Sequence, residues 1–314
     1  MPKPDAYKGI IPALQVPFRP DHSIDEADLR QFARRLADVP GIVALMVNGH
    51  TGEVFALNGR ERAQVARIVA DEVGRRLPVI SSVVCEGFAD AVEHAGMLRE
   101  AGVTAINVMP PHHWLRFGMK PEHVIDYFEA IGKASGLDLT VHVYPAWTRA
   151  AYSPELLAAL ARLPQVKAFK VGTRELSRYA HDIAAIRKAA PEKAVLTCHD
   201  EYLLSSMVQG VDGALVGFAS LIPELICELW DAVKAGDLAR AIAAQRRIDP
   251  LKDMVYGLDE PTGDAHARMK LAMVMAGIIA SPVVRPPTRA PSAAETVRIR
   301  DILRAAGLLA QTAA

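Results

Sequence analysis

Eight short strand-like runs alternate with helix-like segments over the first 236 residues, and this alternation limits the possible folds more than any other feature. The runs are nearly continuous in apolar residues, as expected of parallel strands that are covered on both faces. They lie at residues 10–16, 42–47, 78–84, 105–110, 140–145, 167–172, 194–199 and 213–218. The pattern predicts an α/β protein with a TIM (β/α)8 barrel. A doubly wound open sheet is the alternative, although such a sheet usually has fewer repeats.

The strand-like runs stop after residue 236. Apolar residues at helical spacing follow, and a proline-rich connection, SPVVRPPTRAPS, precedes the last helical segment. The predicted helical segments are 237–256, 265–279 and 293–309. We therefore predict a barrel over residues 1–236 and a C-terminal helical extension over residues 237–314. The apolar content of the extension also indicates contacts between subunits.

Composition favours a protein that binds a small molecule. Apolar residues make up 51% of the chain, and 36 basic residues balance 36 acidic ones, so charge supports neither a nucleic-acid nor a membrane partner. Three scattered cysteines without a C-x-x-C pair suit a reducing compartment. Since no signal peptide or long apolar run is present, we predict a cytoplasmic location. No G-x-G-x-x-G motif or P-loop supports nucleotide binding.

Polar residues cluster at the carboxyl ends of the predicted strands, where a TIM barrel carries its active site. Five of the ten histidines fall there, whereas chance would also place them on exposed helix faces. The polar residues at these ends include His50, His112, His113, His142, Tyr144, Lys170, Thr173, His199 and Asp200. The barrel interpretation therefore predicts a polar site at this end.

Lys170 lies within the strand-like run VKAFKVG, where an ammonium group must be paired, exposed or neutralised. A lysine becomes a nucleophile when burial or nearby charge lowers its pKa. Lowering the pKa of a lysine from ~10.4 to ~7 costs about 4 to 5 kcal/mol. A protein is not expected to retain a lysine at that cost unless the amine has a function. Lys170 is thus a candidate amine nucleophile. The alternative is a lysine that points outward or reaches a surface carboxylate.

The GHTGE sequence at residues 49–53 predicts a tight turn whose backbone N–H groups can hold an anion. An amine beside such a turn suits a 2-oxo acid. The turn would bind the carboxylate while the amine attacks the adjacent carbonyl. The resulting Schiff base withdraws electrons and permits cleavage or elimination at the neighbouring carbon.

Several motifs together resemble the dihydrodipicolinate synthase and N-acetylneuraminate lyase family of class I, Schiff-base-forming enzymes. The motifs are GIIPALQVPF, GHTGE followed by LNGRER, AGVTAINVMPP, the proline of HVYPAWT, KAFKVGTRELSR and GVDGALVGFASLIPEL. The resemblance covers almost the whole chain. It implies a TIM barrel with C-terminal helices, commonly a tetramer, a 2-oxo acid such as pyruvate as the partner, and no cofactor beyond a covalent imine on Lys170.

The resemblance also assigns roles to individual residues. Lys170 corresponds to the Schiff-base lysine, and the turn containing His50, Thr51 and Gly52 holds the pyruvyl carboxylate. Leu215 corresponds to a residue whose backbone carbonyl lies near the imine. The strand pattern, rather than the resemblance, predicts that Tyr144 and His199 line the pocket. For His199 with Asp200, the alternative is a cap on the seventh helix.

Histidines replace the family's usual proton-transfer residues. His142 stands where strand five usually carries a tyrosine, and His50 replaces the first threonine of GTTGE. His112 and His113 replace paired tyrosines after strand four. Because histidine titrates near neutrality, we predict that His50, His113 and His142 form a rebuilt acid–base system. Inactivation by drift is the alternative, although three random losses would rarely converge on one residue type.

A further departure concerns the substrate. Trp147 occupies the position of an arginine that binds the aldehyde substrate's carboxylate in dihydrodipicolinate synthases, and Arg149 lies two residues later. An indole cannot replace a guanidinium group, so we predict lyase or dehydratase chemistry on another 2-oxo acid.

Two other functions remain open at this point. Neutral imidazoles at His50, His113 and His142, with Asp200, could hold zinc in a metal-dependent lyase. Alternatively, the chain could bind a keto acid without turning it over.

Overall fold

Eight parallel strands form the centre of the computed structural model, which describes residues 6–145, 151–257 and 263–309. The strands are β1 (Ile10–Pro12), β2 (Leu45–Val47), β3 (Val79–Val83), β4 (Ala105–Val108), β5 (Asp138–Val143), β6 (Val166–Val171), β7 (Ala194–Thr197) and β8 (Gly213–Val216). Each falls in or closely overlaps one of the eight predicted runs. The predicted TIM barrel is therefore confirmed.

The sheet closes between its first and second strands. Hydrogen-bonded neighbours follow the order β1-β8-β7-β6-β5-β4-β3-β2. Parallel bridges then join Ile10 to Ile42 and Ala13 to Met46, and the Leu14 N–H donates to the Met46 carbonyl at 2.8 Å. These contacts connect the two ends of the sheet, so the open-sheet alternative is wrong.

Helices surround the strands, and four of them (Glu26–Ala37, Gly59–Val73, Pro154–Ala161 and Leu176–Ala189) begin with a side-chain cap. The helices are α1 (Glu26–Ala37), α2 (Gly59–Val73), α3 (Phe88–Glu100), α4 (His113–Phe117), α5 (Pro121–Ser135), α6 (Pro154–Ala161), α7 (Leu176–Ala189), α8 (Leu203–Met207) and α9 (Pro223–Lys234). Helix α2 begins with a capping box in which Asn58 and Glu61 satisfy each other's backbone N–H groups.

The apolar residues form two layers, one inside the barrel and one between strands and helices. The inner layer contains residues such as Ile11, Ala168 and Leu215. Larger side chains such as Phe169 and Val171 fill the outer layer. Burying one such large side chain contributes about 1.5–3 kcal/mol, so the outer layer supplies most of the driving force for folding.

A β-bulge in β6 decides which way Lys170 points. Val166 is in register with Leu139, but Ala168 is in register with Thr140, so Lys167 has no partner on β5. Because side chains alternate between faces, one extra residue reverses every later side chain. Val166 packs in the outer layer and Ala168 in the inner one. Lys170, two residues beyond Ala168, therefore faces the barrel interior.

Three more helices follow the barrel, namely α10 (Leu238–Tyr256), α11 (Asp264–Met275) and α12 (Ala293–Ala305). Helix α10 packs along α9, and α11 and α12 pack against α10 and each other. The predicted helical segments are thus present, although the division of the chain at residue 236 stays a prediction. Across the described ranges, no helix is both long and apolar enough to cross a membrane.

Candidate active site

Lys170 lies in a cavity of about 280 Å³ at the carboxyl end of the barrel. Its cross-strand neighbours are His142 on β5 and Leu196 on β7. The cavity wall also includes Ala13 and Leu215. Within the described ranges, no carboxylate lies within ion-pair distance of the Lys170 amine. The amine therefore faces the cavity, and the outward orientation considered from the sequence is wrong.

The GHTGE turn forms one wall of this cavity through Gly49, His50 and Thr51. The turn is closed by hydrogen bonds from the Gly52 N–H to the Gly49 carbonyl (3.0 Å) and from the Glu53 N–H to the His50 carbonyl (2.9 Å). Among the described residues, nothing accepts a hydrogen bond from the N–H groups of His50 and Thr51. Two unused donors beside a lysine suit an anion.

Gly52 belongs to the turn but does not line the cavity. A Cβ on Gly52 would come within 2.8 Å of the Leu14 carbonyl oxygen, so this position admits no side chain without movement of β1 or the turn. Gly52 thus brings the turn close to the barrel wall, and its predicted role in substrate binding remains a prediction.

His142 is fully buried beside Lys170. Its ring centroid is 6.1 Å from that of His50 and 6.0 Å from that of Tyr144. Neither ring nitrogen of His142 has a hydrogen-bond partner in the part of the chain that the structure describes. Burial, followed by the charge of Lys170, lowers the pKa of His142 well below its usual value. The imidazole is therefore neutral at pH 7 and can both accept and donate a proton.

His50 is held neutral in the same way. Burial and then the Lys170 charge lower the pKa of His50 to about 4. Tyr144 also lines the cavity, and burial raises the pKa of this phenol, so it keeps its proton. His50, His142 and Tyr144 thus form a group of neutral proton carriers around the amine.

Another part of the cavity wall is acidic and comes from the loop after β7, which contributes Asp200 and Glu201. Asp200 accepts hydrogen bonds from the Phe218 N–H (2.9 Å), the Gly217 N–H (3.3 Å) and the Tyr256 hydroxyl (2.9 Å). Burial, helped by the charge of Glu201, raises the pKa of Asp200 to about 6. This wall therefore carries carboxylate oxygens in the cavity above pH 6.

Arg174 neutralises part of this wall. Its Nη2 donates to Glu201 Oε1 at 2.6 Å and to the Tyr144 hydroxyl at 3.1 Å. The Arg174 and Glu201 side chains are only 22% and 14% exposed, so solvent screens this ion pair weakly. Because its charge is engaged by Glu201, Arg174 is not positioned as an open site for a substrate carboxylate.

Three of the predicted histidines, His113, His142 and His199, are absent from the cavity wall. His142 nevertheless lies beside Lys170 on the neighbouring strand. The other two are placed differently. His113 is exposed on α4, and the neighbouring His112 contacts the Glu86 carboxylate at 2.7 Å. His199 is buried, stacked on Tyr202 at 4.5 Å, with its Nδ1 3.2 Å from the Thr197 hydroxyl. Their proposed roles in proton transfer and substrate binding remain predictions.

Trp147 and Arg149, from which a different substrate was predicted, lie outside the described residues. The proposed zinc ligands are not gathered on one cavity wall, since His113 does not line the cavity. In the described ranges, no group of three or more histidine, cysteine or acidic side chains is arranged to hold a metal ion. The described residues therefore provide no set of ligands for the zinc hypothesis.

The cavity has a contribution from the C-terminal extension that the sequence did not indicate. His266 on α11 and Tyr256 at the end of α10 both line it, together with Phe55. Burial lowers the pKa of His266 to about 4, and its ring packs 5.9 Å from that of Phe55. No local pattern distinguishes His266 from any other helical histidine, because its position depends on how the extension packs on the barrel.

Comparison with known proteins agrees with this geometry. The sequence profile of the dihydrodipicolinate synthetase family matches residues 6–306. The chain is 29% identical to N-acetylneuraminate lyase 2 of Escherichia coli O6:H1, covering 90% of this chain and 88% of the relative. It is 30% identical to a 4-hydroxy-tetrahydrodipicolinate synthase of Methylobacterium radiotolerans, covering 96% of each chain. The family resemblance inferred from sequence motifs is confirmed.

The fold has close counterparts among solved structures. YagE from Escherichia coli K12, a member of the dihydrodipicolinic acid synthase family solved in complex with pyruvate, superposes with a TM-score of 0.86 at 25% identity. The match covers 96% of this chain and 99% of YagE. YagE is also named as a putative 2-dehydro-3-deoxy-D-gluconate aldolase, 26% identical over 97% of this chain and 98% of YagE.

Proposed function

We propose that this chain, which belongs to the dihydrodipicolinate synthetase family, is a class I lyase in which Lys170 forms a Schiff base with a 2-oxo acid. The observation that carries this proposal is the Lys170 amine, which faces a cavity beside two unused backbone donors and without an acidic partner among the described residues. The turn N–H groups of His50 and Thr51 would bind the carboxylate, and the carbonyl carbon would then lie next to the amine.

The proposed reaction uses neutral proton carriers. The Lys170 nitrogen adds to the carbonyl carbon, and the carbonyl oxygen leaves as water. A base then removes the proton of the C4 hydroxyl, the C3–C4 bond breaks, and its electron pair enters the enamine as an aldehyde departs. A proton is added at C3, and water releases pyruvate and the free amine. His142 is adjacent to Lys170 on the neighbouring strand, and Tyr144 lines the cavity. We assign these two residues to the proton transfers.

The second half of the substrate is proposed to carry hydroxyl groups. Asp200 and Glu201 present carboxylate oxygens to the cavity, and these accept hydrogen bonds from hydroxyls but repel a second carboxylate. Arg174 is engaged by Glu201. Relatives named N-acetylneuraminate lyase and putative 2-dehydro-3-deoxy-D-gluconate aldolase are compatible with this class, while three other relatives are named 4-hydroxy-tetrahydrodipicolinate synthase, so the choice rests on the cavity residues. We therefore propose a keto-deoxy sugar acid.

Trapping tests the Schiff base directly. The protein is incubated with pyruvate and borohydride, and the modified peptide is located by mass spectrometry. We expect one reduced pyruvyl adduct, on Lys170, and none in the Lys170→Met variant. Lys167→Met is the matched control because Lys167 lies on the same strand but is exposed and donates to the Pro164 carbonyl. An adduct that persists in Lys170→Met would overturn the assignment.

A substrate panel separates cleavage from the alternatives. Keto-deoxy sugar acids are assayed for pyruvate release and for loss of water. Pyruvate release supports the aldolase proposal, and water loss without pyruvate release would assign a dehydratase. Pyruvate binding by calorimetry without any trapped adduct would favour the keto-acid binding protein. The tetramer implied by the family resemblance is tested separately by analytical ultracentrifugation.

A further inference from the structure

A fully buried ion pair joins the C-terminal extension to the GHTGE turn. The Lys270 amine on α11 lies 2.5 Å from Glu53 Oε1, and both side chains are 0% exposed. Lys270 also donates to the Val283 carbonyl at 2.9 Å and lies 4.2 Å from the centre of the Phe18 ring. Both charges are therefore enclosed by protein from three separate parts of the chain.

Glu53 is the last residue of the turn and has an unusual backbone conformation. Its φ angle is 54°, in the left-handed region that residues other than glycine rarely adopt. The same residue donates its backbone N–H to the His50 carbonyl, which closes the turn. Such a conformation persists only where surrounding contacts hold it. The ion pair with Lys270 acts on the Glu53 side chain and so constrains the turn.

Stability alone is a poor explanation for this pair. Removing two charges from water usually offsets most of their attraction, so a buried ion pair contributes little net stability compared with apolar residues of similar size. Burial lowers the pKa of Lys270, although the charge of Glu53 acts in the opposite direction. A buried pair with a small net stabilisation is better understood as a device that sets the position of what it joins.

The position of the turn matters because His50 and Thr51 line the cavity and their N–H groups are unused among the described residues. We propose that Lys270 and Glu53 are positioning residues, which hold the His50 and Thr51 N–H groups in the orientation that binds the substrate carboxylate. This inference rests on the proposed Schiff-base function. The same helix carries His266 into the cavity one turn earlier, so α11 would align the turn and the cavity wall together.

Trapping with pyruvate measures the effect of the pair. In Lys270→Met, we expect the half-saturating pyruvate concentration to increase at least tenfold, a change of about 1.4 kcal/mol. The trapping rate at saturating pyruvate should change less than threefold, because Lys170 itself is intact. Arg268→Met is the matched control, since Arg268 lies on the same helix but pairs with Glu295 in α12. It should leave half-saturation within twofold of wild type.

A double variant keeps the test valid if Lys270→Met folds poorly. Lys270→Met combined with Glu53→Gln leaves no unpaired buried charge, so it should be more stable than Lys270→Met alone. Because the two residues act as one unit, the double variant should raise the half-saturating pyruvate concentration no more than Lys270→Met alone does. Equal half-saturation in wild type, Lys270→Met and the double variant, with only the melting temperature lowered, would reduce the pair to a structural role and overturn the inference.

Hydrogen exchange separates this inference from the proposed function. Exchange at the amides of residues 49–54 should be faster in Lys270→Met and unchanged in Arg268→Met, whether or not the protein reacts with pyruvate. If the wild type traps no 2-oxo acid, the proposed function fails, and faster exchange still shows that the pair holds the turn. Unchanged exchange at these amides in Lys270→Met would overturn the positioning role.

Discussion

Lys170 and His142 lie directly opposite each other on the adjacent strands β6 and β5, at the carboxyl end of the barrel. Parallel strands in register bring paired residues to about 5 Å between backbones, with their side chains on the same face. The His142 nitrogens have no partner among the described residues. The Lys170 amine and the neutral His142 imidazole are therefore neighbours in the barrel interior, where the imidazole can exchange protons with a substrate bound to the amine.

Replacing His142 should slow proton transfer more than it weakens substrate binding. For His142→Asn we expect kcat to fall by roughly 10²-fold or more, the usual contribution of a general acid–base group. KM should change less than threefold. The control is His94→Asn, since His94 is also buried but lies on α3, outside the cavity. Equal kcat values for the two variants would contradict a proton-transfer role for His142.

Stability should decrease as the pH falls from about 6.5 towards 4, and His50 should contribute to this decrease. Its folded-state pKa is about 4, below the ordinary value of 6.5, so the unfolded chain binds more protons throughout this window. The free energy of unfolding then falls by up to about 1.4 kcal/mol per pH unit for each such histidine. Urea denaturation at several pH values should show a shallower slope for His50→Asn than for wild type. Parallel curves would rule out this contribution.

Removing the Glu201 carboxylate, one of the partners of Arg174, should change substrate preference. In Glu201→Gln, the cavity wall loses a negative charge and the guanidinium group behind it loses this ion pair. We expect the kcat/KM ratio of a dicarboxylic 2-oxo acid to a keto-deoxy sugar acid to rise about tenfold, as a charge-assisted hydrogen bond becomes available. Steady-state kinetics on both substrates measure the ratio. An unchanged ratio would mean that Arg174 does not face the bound substrate.

Gly217 should be required for substrate binding because Thr51 packs against it. A Cβ at Gly217 would collide with the Thr51 hydroxyl and would come within 3.2 Å of Thr51 Cβ. Gly217→Ala should therefore displace the turn and raise the half-saturating pyruvate concentration at least fivefold, a shift of about 1 kcal/mol. Gly59→Ala, at the start of α2 where a methyl group meets no atom within 4 Å, should leave binding unchanged. Similar half-saturation for both variants would show that Thr51 adapts.

Much of the fold and part of the site could be predicted from local sequence. The apolar runs and the intervening helical periodicity indicated all eight strands, because strand and helix patterns reflect which side chains are buried. The GHTGE turn and Lys170 were identified for the same reason, as polar groups at the ends of apolar strands. The barrel then places all such ends on one face.

Other features depended on contacts between distant parts of the chain. The bulge at Lys167 directs Lys170 inward, and strict alternation from Val166 would have directed it outward. His113 and His199 stand at strand ends in the sequence, yet neither lines the cavity, whereas His266 reaches it from α11. Local burial patterns were sufficient to predict the barrel, the turn and the strand that carries the amine. The orientation of Lys170 and its neighbours followed from the assembled fold alone, because register and helix packing depend on residues far apart in the chain.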